Sequence, residues 1–409
     1  SKNLNIISFV KLGLLSKITS LSTFISVFLL VGCTKHFIKP SAICMDNQDF
    51  IQSSTNHPKG EALQNVLDSY IAEGIPGVTL LIADSSGIWT GSAGYADLQN
   101  NIKMQPCHIL KPGSVTKMII GNLMWQFQEE GILNIKDLIS NYIPNVSENI
   151  TNGDQITIEM LLNHTSGIYT IARDLNYNLA VVNDFTRGWN AEEIIQYFSN
   201  KPATNLPGEK YNYSNTNTLI SELIIESITG EPLESTLAEK VFNPLGMNNT
   251  VYYDYSEEFP LGNLAQGYVD FHNDGGNIQN ISDLNPGSGN GYTGLYSNAE
   301  DMYLFSKALF IDKTLISENS LNEILDSFFY SESGNSASSS GAIHREDIEF
   351  FGDSITAYGH GGGDIGYAAN VTFIENTNTI IVINYNYGTQ FWTPLGEKIQ
   401  ELKRAIYMT

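Results

Sequence analysis

The sequence predicts an α/β fold, in which a sheet formed from both chain ends is flanked by helices and a mostly helical lobe is inserted between those ends. Three observations carry this reading. GVTLLIADSSGIWTGSAGYAD (77–97) makes two strands around the Ser85-Ser86-Gly87 turn, and YAANVTFIE and TIIVINYN (within 367–386) return to strand near the other end. Residues 132–330 are mostly helix and loop, with helical apolar spacing in TIEMLLNH, AEEIIQYFS, LISELIIESITG and AEDMYLFSKALF. Strands at both ends with helices between place the ends in one sheet and leave a cleft between two lobes.

Taken in order, residues 1–32 carry Lys2, Lys11 and Lys17 and no acid, then an apolar run from Ile18 to Gly32. That run is short for a mature membrane-spanning helix. Leu30-Val31-Gly32-Cys33 resembles a bacterial lipoprotein signal box, which implies cleavage before Cys33 and lipidation of its thiol. The expected location is the bacterial cell envelope, lipid-anchored and facing the periplasm or cell exterior. Residues 33–60 read as a polar tether. An α/β domain then takes 61–130 and 331–409, with a mostly helical domain over 131–330 and the active site between them.

EALQNVLDSYIAEG (61–74) spaces Leu63, Val66, Leu67 and Ile71 as an amphipathic helix. A second helix runs from Ser114 to Glu130, with Ile119, Ile120, Leu123, Met124 and Phe127 at helical period and Gly131 as its stop. TPLGEKIQELKRAIYM closes the chain as a helix. Cys44 and Cys107 remain once Cys33 is set aside, and an oxidising compartment permits a disulfide between them.

Composition excludes some functions. With 21 basic residues against 44 acidic ones and a net charge of −23, no basic surface is available to neutralise a run of phosphates, so no nucleic acid partner is expected. The seven histidines are scattered, without H-E-x-x-H or C-x-x-C, so neither a metal nor another cofactor is expected. Gly361, Gly363 and Gly366 happen to fit G-x-G-x-x-G, but they run into the strand YAANVTFIE, not into the helix a dinucleotide loop requires. Bare backbone on a strand instead lets a substrate chain lie close. Oligomeric state leaves no signal.

The chemistry sits in three short stretches. In PGSVTKMII (112–120) Ser114 stands at a helix start and Lys117 three residues on, so hydroxyl and amine share a face. Burial and the positive helix end both favour a neutral lysine, which can take the serine proton. By itself S-x-x-K more often describes a capping serine and a surface lysine. In NLPGEKYNYSNTN (205–217) Tyr213 and Asn215 bring a phenol and an amide to a turn before a helix, where a phenol can relay protons. A buried tyrosine and a capping asparagine would look the same.

Together, S-x-x-K at 114–117, Y-x-N at 213–215 and H-x-G at 360–362 resemble the penicillin-recognising serine hydrolases, in particular the branch of class C β-lactamases, DD-peptidases and esterases. ITIEMLLNHTSGI, LPGEKYNYSN, VFNPLGMNNT and GYTGLYSNAEDM are similar to that family's connecting segments, and the resemblance covers roughly residues 60–390. It implies an antiparallel sheet and an acyl-enzyme on Ser114, with Lys117 or Tyr213 as the base. Asn215 would hold the substrate amide carbonyl. His360-Gly361-Gly362 would be the third motif, and the amides of Gly363 and Ser114 would bind the oxyanion. His164, Glu209 and Asp301 are read as structural, His164 lying away from the chemistry.

Two departures bear on substrate. His360 stands where β-lactamase-type members have a lysine, and Gly363 lacks the hydroxyl found after the motif in many carboxylate binders. Arg345, fifteen residues before His360, is a candidate for the missing positive charge, or else an exposed arginine among acids. The expected substrate is a small peptide, ester or β-lactam. The order of readings is a D-alanyl-D-alanine carboxypeptidase or D-amino-acid peptidase, then an esterase of small acyl esters, then a β-lactamase. The alternative of another class is a penicillin-binding sensor or scaffold lipoprotein without turnover.

Overall fold

A computed structural model describes residues 41–42, 56–184, 187–253, 259–272, 277–284, 290–334, 336–350, 353–388 and 394–409, all within the unit Ile38–Thr409. Strands from both ends meet in one nine-stranded sheet. Its members are β1 (Gly77–Asp84), β2 (Gly87–Asp97), β3 (Ile102–Lys103), β4 (Phe329–Tyr330), β5 (Ala337–Ser338), β6 (His344–Phe350), β7 (Asp353–Asp364), β8 (Tyr367–Ile374) and β9 (Thr379–Tyr385). The order is β3-β2-β1-β9-β8-β7-β6-β5-β4 and every pairing is antiparallel.

Helices of eight residues or more are α1 (Gly60–Ala72), α2 (Val115–Glu129), α3 (Leu175–Asn183), α4 (Ala191–Phe198), α5 (Asn215–Thr229), α6 (Ala299–Ser306), α7 (Glu318–Asp326) and α8 (Pro394–Met408). The central strands are apolar at consecutive positions because both faces are covered. Leu81, Ile380, Val382, Val371 and Phe373 share one core with α2, α5 and α6, while Leu80, Ile82, Ile381 and Ile383 share another with α1 and α8. Among the described residues no helix is long and apolar enough to cross a membrane.

Two details position the site. Helix α2 is buried on every side from Val115 to Phe127, which carries Lys117 into the interior with its apolar neighbours. Strand β6 pairs with β7 only as far as His344 opposite Gly359, so His360–Asp364 continue past its end while still paired to β8.

Candidate active site

Ser114 occupies the cap position of α2, but its hydroxyl makes no capping bond. The turn before it is pinned by Thr116 Oγ1, which donates to Gly113 O at 2.7 Å. Gly113 has φ +56, and a Cβ there would lie 2.8 Å from Gly363 N; a Cβ on Gly362 would lie 1.8 Å from Pro112 O and 2.8 Å from Ser114 N. Only glycine allows the two backbones this approach. The result is that the Ser114 turn lies directly against the Gly362–Gly363 backbone.

Lys117 is fully buried and donates to Ser114 Oγ at 3.0 Å and to Tyr292 O at 2.7 Å. Burial lowers its pKa well below the ordinary lysine value, and the negative charge of Asp364 pulls it part of the way back. Tyr213 also bonds to Ser114; burial raises its phenol pKa, with the serine bond working the other way. Its ring lies 5.2 Å from Lys117 Nζ. The arrangement is a hydroxyl between an amine that sheds its proton readily and a phenol that keeps its own.

Three imidazoles surround this group. His164, expected away from the chemistry, instead packs its ring 4.3 Å from that of Tyr213. The reason is local: His164 Nδ1 accepts from Ser214 N at 3.4 Å and from Asn217 Nδ2 at 3.0 Å, which ties the HTSG turn to the start of α5. The structural part of its reading thus holds, but its place in the molecule does not. With Nδ1 accepting, Nε2 carries the proton, buried and without a partner. His360 has the opposite tautomer, because Nδ1 faces Gly361 O at 2.5 Å and must donate, leaving Nε2 as an unpartnered acceptor. His344 stacks on His360 at 3.8 Å and meets Tyr213 edge-on at 6.1 Å. Burial holds all three rings neutral, His344 at a pKa of about 4 and the other two well below the usual histidine value. Among the described residues no group of three or more His, Cys, Asp or Glu side chains is placed to hold a metal.

Asn215 opens α5 with its Oδ1 buried and unpartnered. Glu209 accepts from Leu206 N at 2.9 Å, and Asp301 accepts from Thr250 Oγ1 at 2.7 Å and Asn249 N at 2.8 Å. The Arg345 guanidinium is engaged within its own hairpin, donating to Asp347 Oδ1 at 3.2 Å and to Thr356 Oγ1 at 3.3 Å. Cys107 is disulfide-bonded, while Cys44, the partner that the sequence permits, and Cys33 lie outside the described residues.

Sequence reasoning missed four residues. Lys111, just ahead of the nucleophile-like turn, is buried with its pKa lowered to about 8, and Asp364, just past Gly363, is buried with its carboxyl pushed up. Each is the other's main opposing charge. Tyr292 supplies the carbonyl that fixes Lys117, and its hydroxyl bonds with that of Tyr177 at 2.8 Å. His344 completes the imidazole stack. The adjacency of Lys111 and Asp364 to the first and third motifs was the one available signal.

The family model described as Beta-lactamase matches residues 63–401. A Bacillus subtilis (strain 168) relative named as penicillin-binding protein PbpX is 28% identical over 285 residues, 68% of this chain and 67% of that protein. An Escherichia coli O157:H7 relative named for D-alanyl-D-alanine carboxypeptidase is 25% identical over 277 residues, 60% of this chain and 63% of that one, short of two thirds of its length. The D-amino acid amidase of Ochrobactrum anthropi SV3, solved with L-phenylalanine amide, superposes with a TM-score of 0.73 at 24% identity, over 85% of this chain and 98% of that one, a likeness of fold. With the match running from α1 into α8 across every motif named above, this chain belongs to the beta-lactamase family of serine hydrolases.

Proposed function

We propose that the protein cleaves the amide bond of a D-amino-acid peptide through an acyl-enzyme on Ser114, as a D-alanyl-D-alanine carboxypeptidase or D-amino-acid peptidase does. The observation that carries this reading is the buried Lys117 amine 3.0 Å from Ser114 Oγ. Neutral Lys117 takes the hydroxyl proton as Oγ bonds to the carbonyl carbon, and the amides of Ser114 and Gly363 bind the oxyanion. Asn215 holds the substrate amide. The C–N bond then breaks as the leaving nitrogen receives a proton from Tyr213, which Lys117 replenishes. Water attacks the acyl carbon, its proton returns through the same pair to Ser114, and the acid departs. The opposite pKa directions of Lys117 and Tyr213 favour Lys117 as the acylation base. The choice of a D-amino acid is supported by what the E. coli relative and the O. anthropi neighbour are named for.

The test is to offer the protein and its Ser114→Ala variant a D-Ala-D-Ala peptide, a fluorescent penicillin and a nitrophenyl ester. Peptide turnover is expected in the parent and a loss of about 10⁴-fold or more in the variant. A variant that keeps full turnover sinks the assignment. An esterase is the second reading, favoured by the neutral His360 in the third motif, and predicts that the ester is the faster substrate. A penicillin adduct that persists in the mass spectrum, with no turnover of any substrate, identifies a sensor instead. Envelope anchoring is proposed from residues 1–33: labelled palmitate should enter the protein expressed in bacteria and be absent from Cys33→Ser.

A further inference from the structure

Two lysines, not one, are buried around Ser114, and the carboxylate of Asp364 acts on both. Lys111 stands three residues before the serine and Lys117 three after it. The segment that carries Lys111 is tied along both edges: Ile109 N donates to Asn263 O at 3.0 Å and Ile109 O accepts from Ala265 N at 2.9 Å, while Leu110 and Ser297 exchange bonds of 2.9 and 3.0 Å. The Lys111 side chain then enters the interior, where Nζ lies 5.2 Å from the centre of the Tyr296 ring and 5.4 Å from that of Tyr367. Such ring faces attract a cation.

Asp364 is fixed at the end of β7. Its Oδ1 accepts from Ile365 N at 2.8 Å, and its Oδ2 lies 3.5 Å from Thr293 Oγ1. Thr293 follows Tyr292, whose carbonyl accepts the Lys117 bond, so one short stretch of backbone joins the carboxylate to the second amine. Phenols of Tyr177, Tyr292 and Tyr367 complete the surroundings of Asp364. Lys117 is faced in addition by Ser114, Tyr213 and the imidazoles of His164, His344 and His360. Of the two amines, Lys111 acts on Asp364 more strongly than Lys117 does. Within this cluster one positive and one negative charge balance, whereas a proton on each amine leaves a positive charge uncompensated and removed from water. Burial accordingly lowers Lys111 only to about 8 but Lys117 much further.

We propose that Lys111 is a positioning residue for the reaction at Ser114: it takes Asp364 as its own counter-ion and so keeps Lys117 uncharged, ready to accept the serine proton. The proposal rests on the acyl-enzyme reading of Ser114. Lys111 acts on the substrate only through Asp364 and Lys117.

The test is the pH profile of kcat/KM, measured on the full chain with the faster of two substrates, the D-Ala-D-Ala peptide or the nitrophenyl ester. Lys111→Met removes a like charge from near Lys117 and leaves Asp364 to act on Lys117 alone. Both effects raise the proton affinity of Lys117, so the acid limb should move up by about one pH unit or more. Asp364→Asn should move it down. The double variant Lys111→Met/Asp364→Asn, with neither charge, should return the limb close to that of the parent, and Lys111→Arg, which keeps the cation, should leave it there. A urea midpoint for each variant separates folding from chemistry, because a merely structural Lys111 would lower the midpoint and the rate without moving the limb. If Lys111→Met alone does not fold, the double variant must still lie above Asp364→Asn. A limb unmoved by Lys111→Met, or a double variant with the limb of Asp364→Asn, overturns the proposal. Turnover by Ser114→Ala would instead overturn the acyl-enzyme reading, whatever Lys111 does.

Discussion

At position 362 the residue is dictated by a contact, since a methyl group would sit 1.8 Å from Pro112 O. Gly362→Ala should force the Ser114 turn away from β7 and spread the two amides proposed to bind the oxyanion. We expect kcat/KM to fall about 100-fold or more, with about 1–3 kcal/mol of stability lost, read by kinetics and urea unfolding on one preparation. Asp364 acts more remotely. It is the carboxylate that raises the proton affinity of Lys117, and it is itself faced by Lys111, Lys117, Tyr177, Tyr292 and Tyr367. Removing its charge in Asp364→Asn lowers the Lys117 pKa further, so the basic amine persists to lower pH. The acid limb of the kcat/KM profile should move to lower pH, and a limb that stays put or moves up would detach Asp364 from Lys117.

Among the elements, the helices and strands with strong periodicity were legible, and so were the three motifs, because each motif is local to one turn or one strand end. What escaped depends on contacts across long stretches of chain. Tyr292 reaches Lys117 through its carbonyl, a group common to all residues and therefore silent in sequence. Strand β6, HREDIEF, is charged and at the edge region of the sheet, so neither alternation nor apolar content announces it. Its first two residues show how narrow the margin is: His344 joins the imidazole stack while Arg345, one step along a pleated strand, goes to Asp347 and Thr356.

For the whole molecule, neutral buried histidines make stability depend on pH. His344 has a folded pKa of about 4, below its unfolded value near 6.5, so the unfolded chain binds a proton that the folded chain refuses across that interval. Stability is accordingly lost as pH falls from about 6.5 to 4, by no more than about 3 kcal/mol from this residue. His344→Phe should close the gap: relative to the parent its urea midpoint should rise progressively on acidification, and a constant difference from pH 7.5 to 4.5 would rule the effect out. Carboxyls such as Asp301, raised to about 6 by burial, work in the opposite sense but are common to both proteins.

The early end of β6 has a consequence of another kind. Where β7 runs on from His360 beyond its last pair with β6, we propose that an extended substrate chain lies as a provisional strand, read through its main chain. Such reading has a direction, because a ladder of amides and carbonyls fits only one chain polarity. A peptide of reversed sequence, with the same side chains and length, should therefore compete poorly with its forward counterpart.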